Sequence, residues 1–130
     1  MKKQVKDKWV AALLGGEYKQ TRGYLRTSEG FCCLGVLCDL ASKEGVGHWG
    51  EEGEEIDSDI ETTNSTAKHF VSRIDRRDST AWTLPNAVRI WAGMLSHTGD
   101  IFDTDLAKEN DSGRTFEDLA CVIEGNWERL

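Results

Sequence analysis

Five side chains with binding chemistry alternate along one short segment near the start of the chain. They are Tyr18, Gln20, Arg22, Tyr24 and Arg26. Alternate residues of an extended strand lie on the same face, so the spacing predicts a strand over residues 18–27 with all five side chains on one side. Aromatic rings stack on bases, guanidinium groups bind phosphate through paired hydrogen bonds, and a glutamine amide can read a base edge. The segment therefore predicts a binding face for a phosphorylated small molecule, with an ordinary solvent-exposed strand face as the alternative.

A sixth candidate for ligand binding is Trp82, which comes shortly before a Leu84-Pro85 pair. Together with Trp49 it can line a ligand pocket or pack beneath a long loop, and the sequence leaves both interpretations open. We include Trp82 in the predicted ligand-binding set.

Three of the four cysteines lie in one apolar segment, FCCLGVLCDL at residues 31–40. Thiols can be zinc ligands, nucleophiles or small core residues. Structural zinc requires paired ligand spacings, whereas Cys32 and Cys33 are adjacent and the three histidines are scattered along the chain. A thiol nucleophile requires a histidine in a recognisable arrangement, which the sequence lacks. We therefore predict buried core cysteines, with no catalytic residue, no metal ligand and no cofactor.

The negative charge of the chain is concentrated in one run. The net charge is -7, and seven acidic residues with no base lie between Glu51 and Glu61, while the other acids balance the 16 lysines and arginines. A protein that coats duplex nucleic acid normally needs a net basic face, so we expect no nonspecific duplex DNA binding. The run lacks the ordered ligand spacing of a calcium loop. It predicts a solvated surface loop at about residues 45–64 or, alternatively, a surface that binds a host protein.

The sequence predicts a cytoplasmic protein without membrane contact. No stretch approaches the roughly 18 apolar residues of a membrane span. The apolar run at residues 9–14 is too short for the hydrophobic region of a signal peptide, and no small-residue cleavage site follows it. Without export, the cysteines should remain reduced.

The elements that would position these residues follow from hydrophobic periodicity and turn signals. The predicted helices cover residues 2–14, residues 34–42, a segment that begins at Leu84-Pro85-Asn86 and ends near Gly93, and a last segment opened by Thr115. Thr115 and Asp118 have the spacing of a capping box, and Trp9, Trp91 and Trp127 fall on helical apolar stripes that we assign to the core. Residues 31–33 are predicted to pair back on the strand at 18–27, and residues 69–74 and 101–106 fit more than one structure. The 130 residues thus predict a single α+β domain with an N-terminal helix, a small antiparallel sheet around residues 17–33 and three further helices.

Several sequence blocks, in order along the chain, resemble a family of small bacteriophage and prophage proteins. The blocks are WVAAL at 9–13, GEYKQ at 16–20 with Gly23 and Leu25, FCCLGVLCDL at 31–40, Leu84-Pro85, Trp91-Ala92-Gly93 and NDSGRTFEDLA at 110–120. Residues 45–79 fall outside the resemblance. It implies a phage accessory protein that acts in the bacterial cytoplasm, and it supplies no catalytic residues, because the family has no established activity.

Small phage accessory proteins often counteract host defence, so the resemblance and the predicted face together suggest a function. We expect a protein that binds and sequesters a small anionic nucleotide signal without turnover. We also expect a homo-oligomer, because residues from two subunits could then form one ligand pocket. The alternative is an acidic inhibitor that binds a host defence or nucleic-acid-binding protein through the run from Glu51 to Glu61, and a nucleotide hydrolase is a third reading.

Overall fold

The computed structural model describes residues 1–50 and 66–130, so the acidic run between Glu51 and Glu61 lies outside the described residues. The helices within the described residues are α1 (Lys3–Leu14), α2 (Cys33–Lys43), α3 (Asn86–Ala92), α4 (Leu106–Asp111), α5 (Phe116–Asn126) and a terminal 3-10 turn (Trp127–Arg129). The strands there are β1 (Arg26–Thr27), β2 (Gly30–Phe31), β3 (Gly47–Trp49), β4 (Phe70–Ser72), β5 (Ser79–Thr80), β6 (Asp100–Ile101) and β7 (Thr104–Asp105). The predicted α+β class is confirmed, and α4 is a helix that the sequence pattern did not predict.

Helix α2 forms the centre of the core because almost every residue along its first two turns is buried. The buried residues of α2 are Cys33, Leu34, Gly35, Val36, Leu37, Cys38 and Ala41. Helix α1 packs against both α2 and α5, and it contributes an apolar stripe of Val5, Trp9 and Leu13. Burial of these stripes supplies the main driving force for folding, at about 25 cal/mol per Å² of apolar surface removed from water.

The cysteines of the FCCLGVLCDL segment are core residues, as the sequence predicts. Cys32, Cys33 and Cys38 are buried as free thiols, whereas Cys121 on α5 is exposed. Burial raises the pKa of all three buried thiols, and it raises the pKa of Cys32 to about 12. These thiols therefore stay protonated near neutral pH and behave as small hydrophobic side chains.

A glycine within α2 permits a close contact between the helix and the chain that precedes β1. A Cβ atom added at Gly35 would collide with the backbone carbonyl of Leu25. That carbonyl also accepts a hydrogen bond from the Cys32 amide at 3.1 Å, so the two segments are held together at this point. The glycine is thus required by packing.

The predicted strand over residues 18–27 is wrong for most of its length. Only Arg26–Thr27 pairs in an antiparallel ladder, with Gly30–Phe31, and Gln20 makes an isolated parallel bridge to Phe31. The backbone angle φ of Gly23 is 85°, a left-handed conformation that interrupts an extended chain. The backbone then bonds to separate parts of the fold, with the Thr21 amide donating to Phe31 at 2.8 Å and the Leu25 amide donating to Ala81 at 2.7 Å. Period-two alternation is lost because the segment winds between these partners.

The predicted surface loop at about 45–64 contains a strand at its start. Gly47–Trp49 pairs antiparallel with Phe70–Ser72, which in turn pairs with Ser79–Thr80, giving the order β3-β4-β5. Gly47 allows this pairing because a side chain there would collide with the ring of Phe70. The strand places Trp49 against α2. The remaining part of the predicted loop, from Glu51 onward, lies outside the described residues.

Two helix starts follow the predicted signals. The Thr115 hydroxyl accepts from the Asp118 amide at 3.1 Å and the Asp118 carboxylate accepts from the Thr115 amide at 3.4 Å, so the capping box before α5 is confirmed. Helix α3 begins at Asn86 immediately after Pro85. Its first amides donate to the carboxylate of Asp78, at 2.7 and 2.8 Å, which the local sequence did not indicate.

The three helical tryptophans are not equally buried. Trp9 is fully buried and its indole Nε1 donates to the Cys33 carbonyl at 2.9 Å. Trp91 and Trp127 are only partly buried, whereas we predicted that both side chains belong to the core. Trp91 borders an open groove at the edge of α3, and Trp127 follows the end of α5. None of the helices in residues 1–50 and 66–130 is long and apolar enough to cross a membrane.

Candidate functional site

The predicted ligand-binding residues do not share one face, because they contact three different parts of the fold. Tyr18 and Arg26 both contact the ring of Phe31. Gln20 bonds to α4 and to the loop before α5, whereas Tyr24 packs on Trp82. The structure therefore brings two of the predicted residues into one cluster and assigns the others to separate contacts.

Gln20 has no free amide group with which to read a base edge. Its Nε2 donates to Asn110 Oδ1 at 2.9 Å and to the Arg114 carbonyl at 2.8 Å, and its Oε1 accepts from the Phe116 amide at 3.2 Å. These hydrogen bonds of the Gln20 side chain instead link the segment after α1 to α4 and to the start of α5. Gln20 thus has a structural role, and its predicted role in ligand recognition, for which these bonds leave little capacity, stays a prediction.

The partner of Gln20, Asn110, is a fully buried polar residue that connects three segments. Its Oδ1 also accepts from the Cys33 amide at 3.2 Å, and its Nδ2 donates to the Thr21 carbonyl at 3.0 Å. Buried amide groups need such partners, because an unpaired one costs about 1–3 kcal/mol. This network fixes the path of residues 18–23 relative to the start of α2. Sequence reasoning missed it because Asn110 reads as an ordinary turn residue.

Three other predicted residues lie apart from the Phe31 ring. The rings of Tyr24 and Trp82 are 5.9 Å apart and tilted by 31°. Arg22 is exposed and its guanidinium approaches Gly113. The contacts to the Phe31 ring come from Tyr18 and Arg26, so the predicted role of Arg22 in phosphate binding stays a prediction separate from that of Arg26.

Arg26 is the predicted residue whose setting favours the binding of an anion. Its guanidinium lies over two rings, with its central carbon 4.8 Å from the ring centroid of Phe31 and 5.5 Å from that of Trp49. Arg26 is half-buried, and within residues 1–50 and 66–130 its guanidinium makes no hydrogen bond and no ion pair. The N–H donors of a half-buried, ring-stacked guanidinium thus remain available to an anion.

The two rings beneath this guanidinium belong to a row of four aromatic rings. Tyr18 meets Phe31 edge to face at 5.0 Å, Phe31 meets Trp49 at 6.0 Å, and Trp49 meets Phe70 at 5.1 Å. Edge-to-face pairs of this kind stabilise packing by about 0.5–1.5 kcal/mol beyond burial. The rings come from the loop after α1 and from β2, β3 and β4, so the pairing of short strands assembles them.

Asp39 on α2 fixes the orientation of two of these rings. One carboxylate oxygen accepts from the Tyr18 hydroxyl at 2.6 Å, and the other accepts from the Trp49 indole nitrogen at 3.0 Å. Burial and the Asp39 carboxylate raise the pKa of Tyr18, so its phenol stays protonated and donates. Asp39 is therefore a positioning residue.

Lys43 adds a second cation one helical turn beyond Asp39. Its Nζ lies 3.9 Å from Asp39, donates to the Tyr18 hydroxyl at 3.3 Å and lies 5.8 Å from the centroid of that ring. We define the Arg26 cluster as the group formed by Tyr18, Arg26, Phe31, Asp39, Lys43 and Trp49. It contains two cations, one carboxylate and three rings, and its net charge of one positive unit opposes the negative charge of the whole chain.

Sequence reasoning missed three members of the cluster, Phe31, Asp39 and Lys43, and it named Trp49 only for a pocket shared with Trp82. Phe31 and Asp39 lie inside the FCCLGVLCDL segment, which we interpreted only through its cysteines. A carboxylate within an apolar run is the signal that could have identified Asp39, because a buried charge needs partners. Lys43 and Trp49 carry no such signal. In the described part of the chain, no group of three or more histidine, cysteine or acidic residues is arranged to hold a metal ion.

Residues 1–127 match a family model described as Domain of unknown function (DUF8296). The match spans almost the whole chain, and the chain belongs to this family. No curated protein and no solved structure matches it.

Proposed function

We propose that this member of the DUF8296 family binds a small anionic molecule with an aromatic ring, of the nucleotide class, at the Arg26 cluster and holds it without turnover. The observation that carries the proposal is the Arg26 guanidinium, which is half-buried on the rings of Phe31 and Trp49 without an acidic partner among the described residues.

The charge and shape of the guanidinium favour an anionic group. A guanidinium binds phosphate or carboxylate through two parallel hydrogen bonds, and hydrogen bonds to charged groups contribute about 1.5–3 kcal/mol. Stacking on two rings restricts the side chain before the ligand arrives, so less conformational entropy is lost on binding. Lys43 supplies further positive potential near Tyr18.

The rings favour a flat, aromatic body next to the anionic group. Trp49, Phe31 and Tyr18 are partly exposed, and base stacking on such side chains contributes about 1–3 kcal/mol per base. The hydrogen bonds from Tyr18 and Trp49 to Asp39 hold the rings in place. A nucleotide combines the phosphate that suits Arg26 with the base that suits the rings.

The acid–base groups of the cluster favour binding over catalysis. The Asp39 carboxylate already accepts two hydrogen bonds, and the Tyr18 phenol holds its proton because its pKa is raised. A general base or nucleophile would need a free, suitably tuned group. Sequestration of a nucleotide needs neither.

The biological setting of the proposal rests on the resemblance of several sequence blocks to phage and prophage proteins. A phage accessory protein that binds a nucleotide without turnover would withdraw a host defence signal in the bacterial cytoplasm. A homo-oligomer would serve this role if a second subunit completed the pocket. The acidic-inhibitor alternative depends on residues 51–61, which lie outside the described residues, so no structural observation favours it.

The test is a binding titration of the full chain with adenosine, inorganic phosphate, AMP and cyclic mono- and dinucleotides. We expect a nucleotide to bind more tightly than adenosine or phosphate alone. Arg26→Met keeps an apolar stem on the rings and removes the charge, so it should weaken nucleotide binding by about tenfold or more. Arg22→Met removes an exposed arginine outside the cluster and serves as the matched control.

Two results would contradict the proposal. One is equal affinity of wild type and Arg26→Met, and the other is failure of every nucleotide to bind. Chromatography of the recovered ligand adds a separate check, because altered nucleotide in the eluate would favour the hydrolase reading.

A further inference from the structure

A second candidate site is a groove between the segment after α2, the turn after β4, and α3. None of its lining residues belongs to the Arg26 cluster. Its volume is about 540 Å³, within the range of about 300–1,000 Å³ that is usual for small-molecule sites. The residues that line it include Val46, Arg73, Ile74, Ala87, Ile90 and Trp91.

The walls of the groove are apolar and unusually exposed. Ile74 is 93% exposed and Ile90 is 62% exposed, and the partly buried ring of Trp91 lies in the same groove. Isolated exposed isoleucines are common on proteins, but several apolar side chains around one concavity are typical of a binding site. Their burial by a ligand would be favourable at about 25 cal/mol per Å².

Backbone hydrogen bonds hold the walls in place without a ligand. The Arg73 amide donates to the Val46 carbonyl at 3.1 Å, which joins the turn after β4 to the segment after α2. The Ile74 amide donates to the Ser72 hydroxyl at 3.2 Å, and Asp78 caps the first turn of α3. The groove is therefore preformed.

One cation borders this apolar surface. Among the described residues that line the groove, Arg73 alone is charged, and its guanidinium makes no hydrogen bond or ion pair with residues 1–50 or 66–130. Its Nη1 lies beside Gly45, 3.7 Å from the position that a Cβ atom would occupy there. Arg73 is exposed, so its N–H donors can reach an anionic group of a ligand that lies in the groove.

We propose that the groove binds a small amphipathic carboxylate, with its apolar body against Ile74, Ile90 and Trp91 and its carboxylate on Arg73. One guanidinium balances one negative charge through two hydrogen bonds. A monoanion fits better than a dianion because Arg73 is the one charged residue among the described residues that line the groove. This site is independent of the Arg26 cluster, and neither proposal requires the other.

The test uses three ten-carbon probes, decanoate, decanol and decylammonium, titrated into the isotope-labelled full chain. The two ions are kept below their micelle concentrations and decanol below its solubility limit. We expect decanoate to shift the amide signals of Ile74 and Ile90 and the indole signal of Trp91. Decanol should bind about tenfold more weakly, because it cannot form the charged pair. Decylammonium should bind more weakly still.

Two variants separate the charge from the apolar walls. Arg73→Met should abolish the preference for decanoate over decanol while decanol still binds. Ile90→Ser should weaken both probes, whereas Leu95→Ser, which changes a residue that is 78% exposed outside the groove, should leave both unchanged. Decanoate binding no better than decanol to wild type would overturn the proposal. So would self-association that Ile90→Ser abolishes, without any decanoate binding, since the groove would then join two copies of the chain.

Discussion

Arg26 and Phe31 face each other directly across the β1–β2 pair, with the guanidinium carbon 4.8 Å from the ring centroid. The short ladder thus does more than join two strands, because it holds a cation over a ring. Cation–π contacts contribute about 0.5–1 kcal/mol at exposed sites and more when water is excluded. A structural contact of this kind also leaves the N–H groups of the guanidinium free for an anion.

Replacement of Asp39 by asparagine should loosen the rings around Arg26. An asparagine side chain has only one acceptor oxygen, so either Tyr18 or Trp49 would face an N–H group in place of a carboxylate. We expect a loss of about 1–3 kcal/mol in the free energy of unfolding and weaker nucleotide binding. Urea denaturation measures the first effect. Glu44→Gln, an exposed residue near the end of α2, is the control and should change stability by less than about 0.5 kcal/mol. Equal stability of the two variants would contradict the assigned role of Asp39.

The raised pKa of Tyr18 predicts a specific dependence of stability on alkaline pH. In the unfolded chain the phenol loses its proton near its ordinary pKa of 10.0, while the folded protein retains the proton to higher pH. The folded state therefore binds more protons above that pH, and stability must fall as the pH rises. Tyr18→Phe removes this contribution, so its stability should fall less steeply. Urea midpoints of both proteins measured from pH 8 to pH 11 test the difference, and parallel curves would count against the prediction.

The exposed thiol of Cys121 should react much faster than the three buried thiols. Cys121 is exposed, whereas Cys32, Cys33 and Cys38 are buried and their thiol pKa values are raised. Because the thiolate is the reactive form, a thiol reagent should modify one cysteine quickly in the folded protein and the others only after unfolding. Mass spectrometry counts the modified residues over time. Cys121→Ser should eliminate the fast phase, and a fast phase that persists in this variant would show that a core thiol is accessible.

Substitution of Gly35 by alanine should strongly destabilise the fold. The added methyl group would meet the Leu25 carbonyl, a backbone group that cannot move without displacing the chain before β1. Overpacking of this kind costs about 1–3 kcal/mol and more where the backbone must shift. Gly125→Ala is the matched control, because a Cβ atom there has no neighbour within 4 Å and alanine favours the helix by up to about 1 kcal/mol. Thermal unfolding compares them, and similar melting temperatures would refute the packing argument.

The local parts of the fold were predictable from sequence because they depend on neighbouring residues. The apolar stripe of α1, the capping box formed by Thr115 and Asp118, and the burial of the FCCLGVLCDL cysteines all follow from periodicity, residue type and short spacings. Such signals act within one or two helical turns, so the sequence alone contains them.

The candidate site could not be predicted in the same way, because contacts distant in sequence assemble it. Gln20 and Arg26 look equivalent in an alternating pattern, yet Gln20 bonds to Arg114, 94 residues away, while Arg26 lies on Phe31 and Trp49. Residues 18–25 do not form a strand of their own, so the distant partners of their backbone groups determine where each side chain points. The sequence determined the helices, the buried cysteines and the supply of rings and cations. Only the tertiary structure decided which ring lies under which cation, because that depends on which segments, distant in sequence, are packed next to each other.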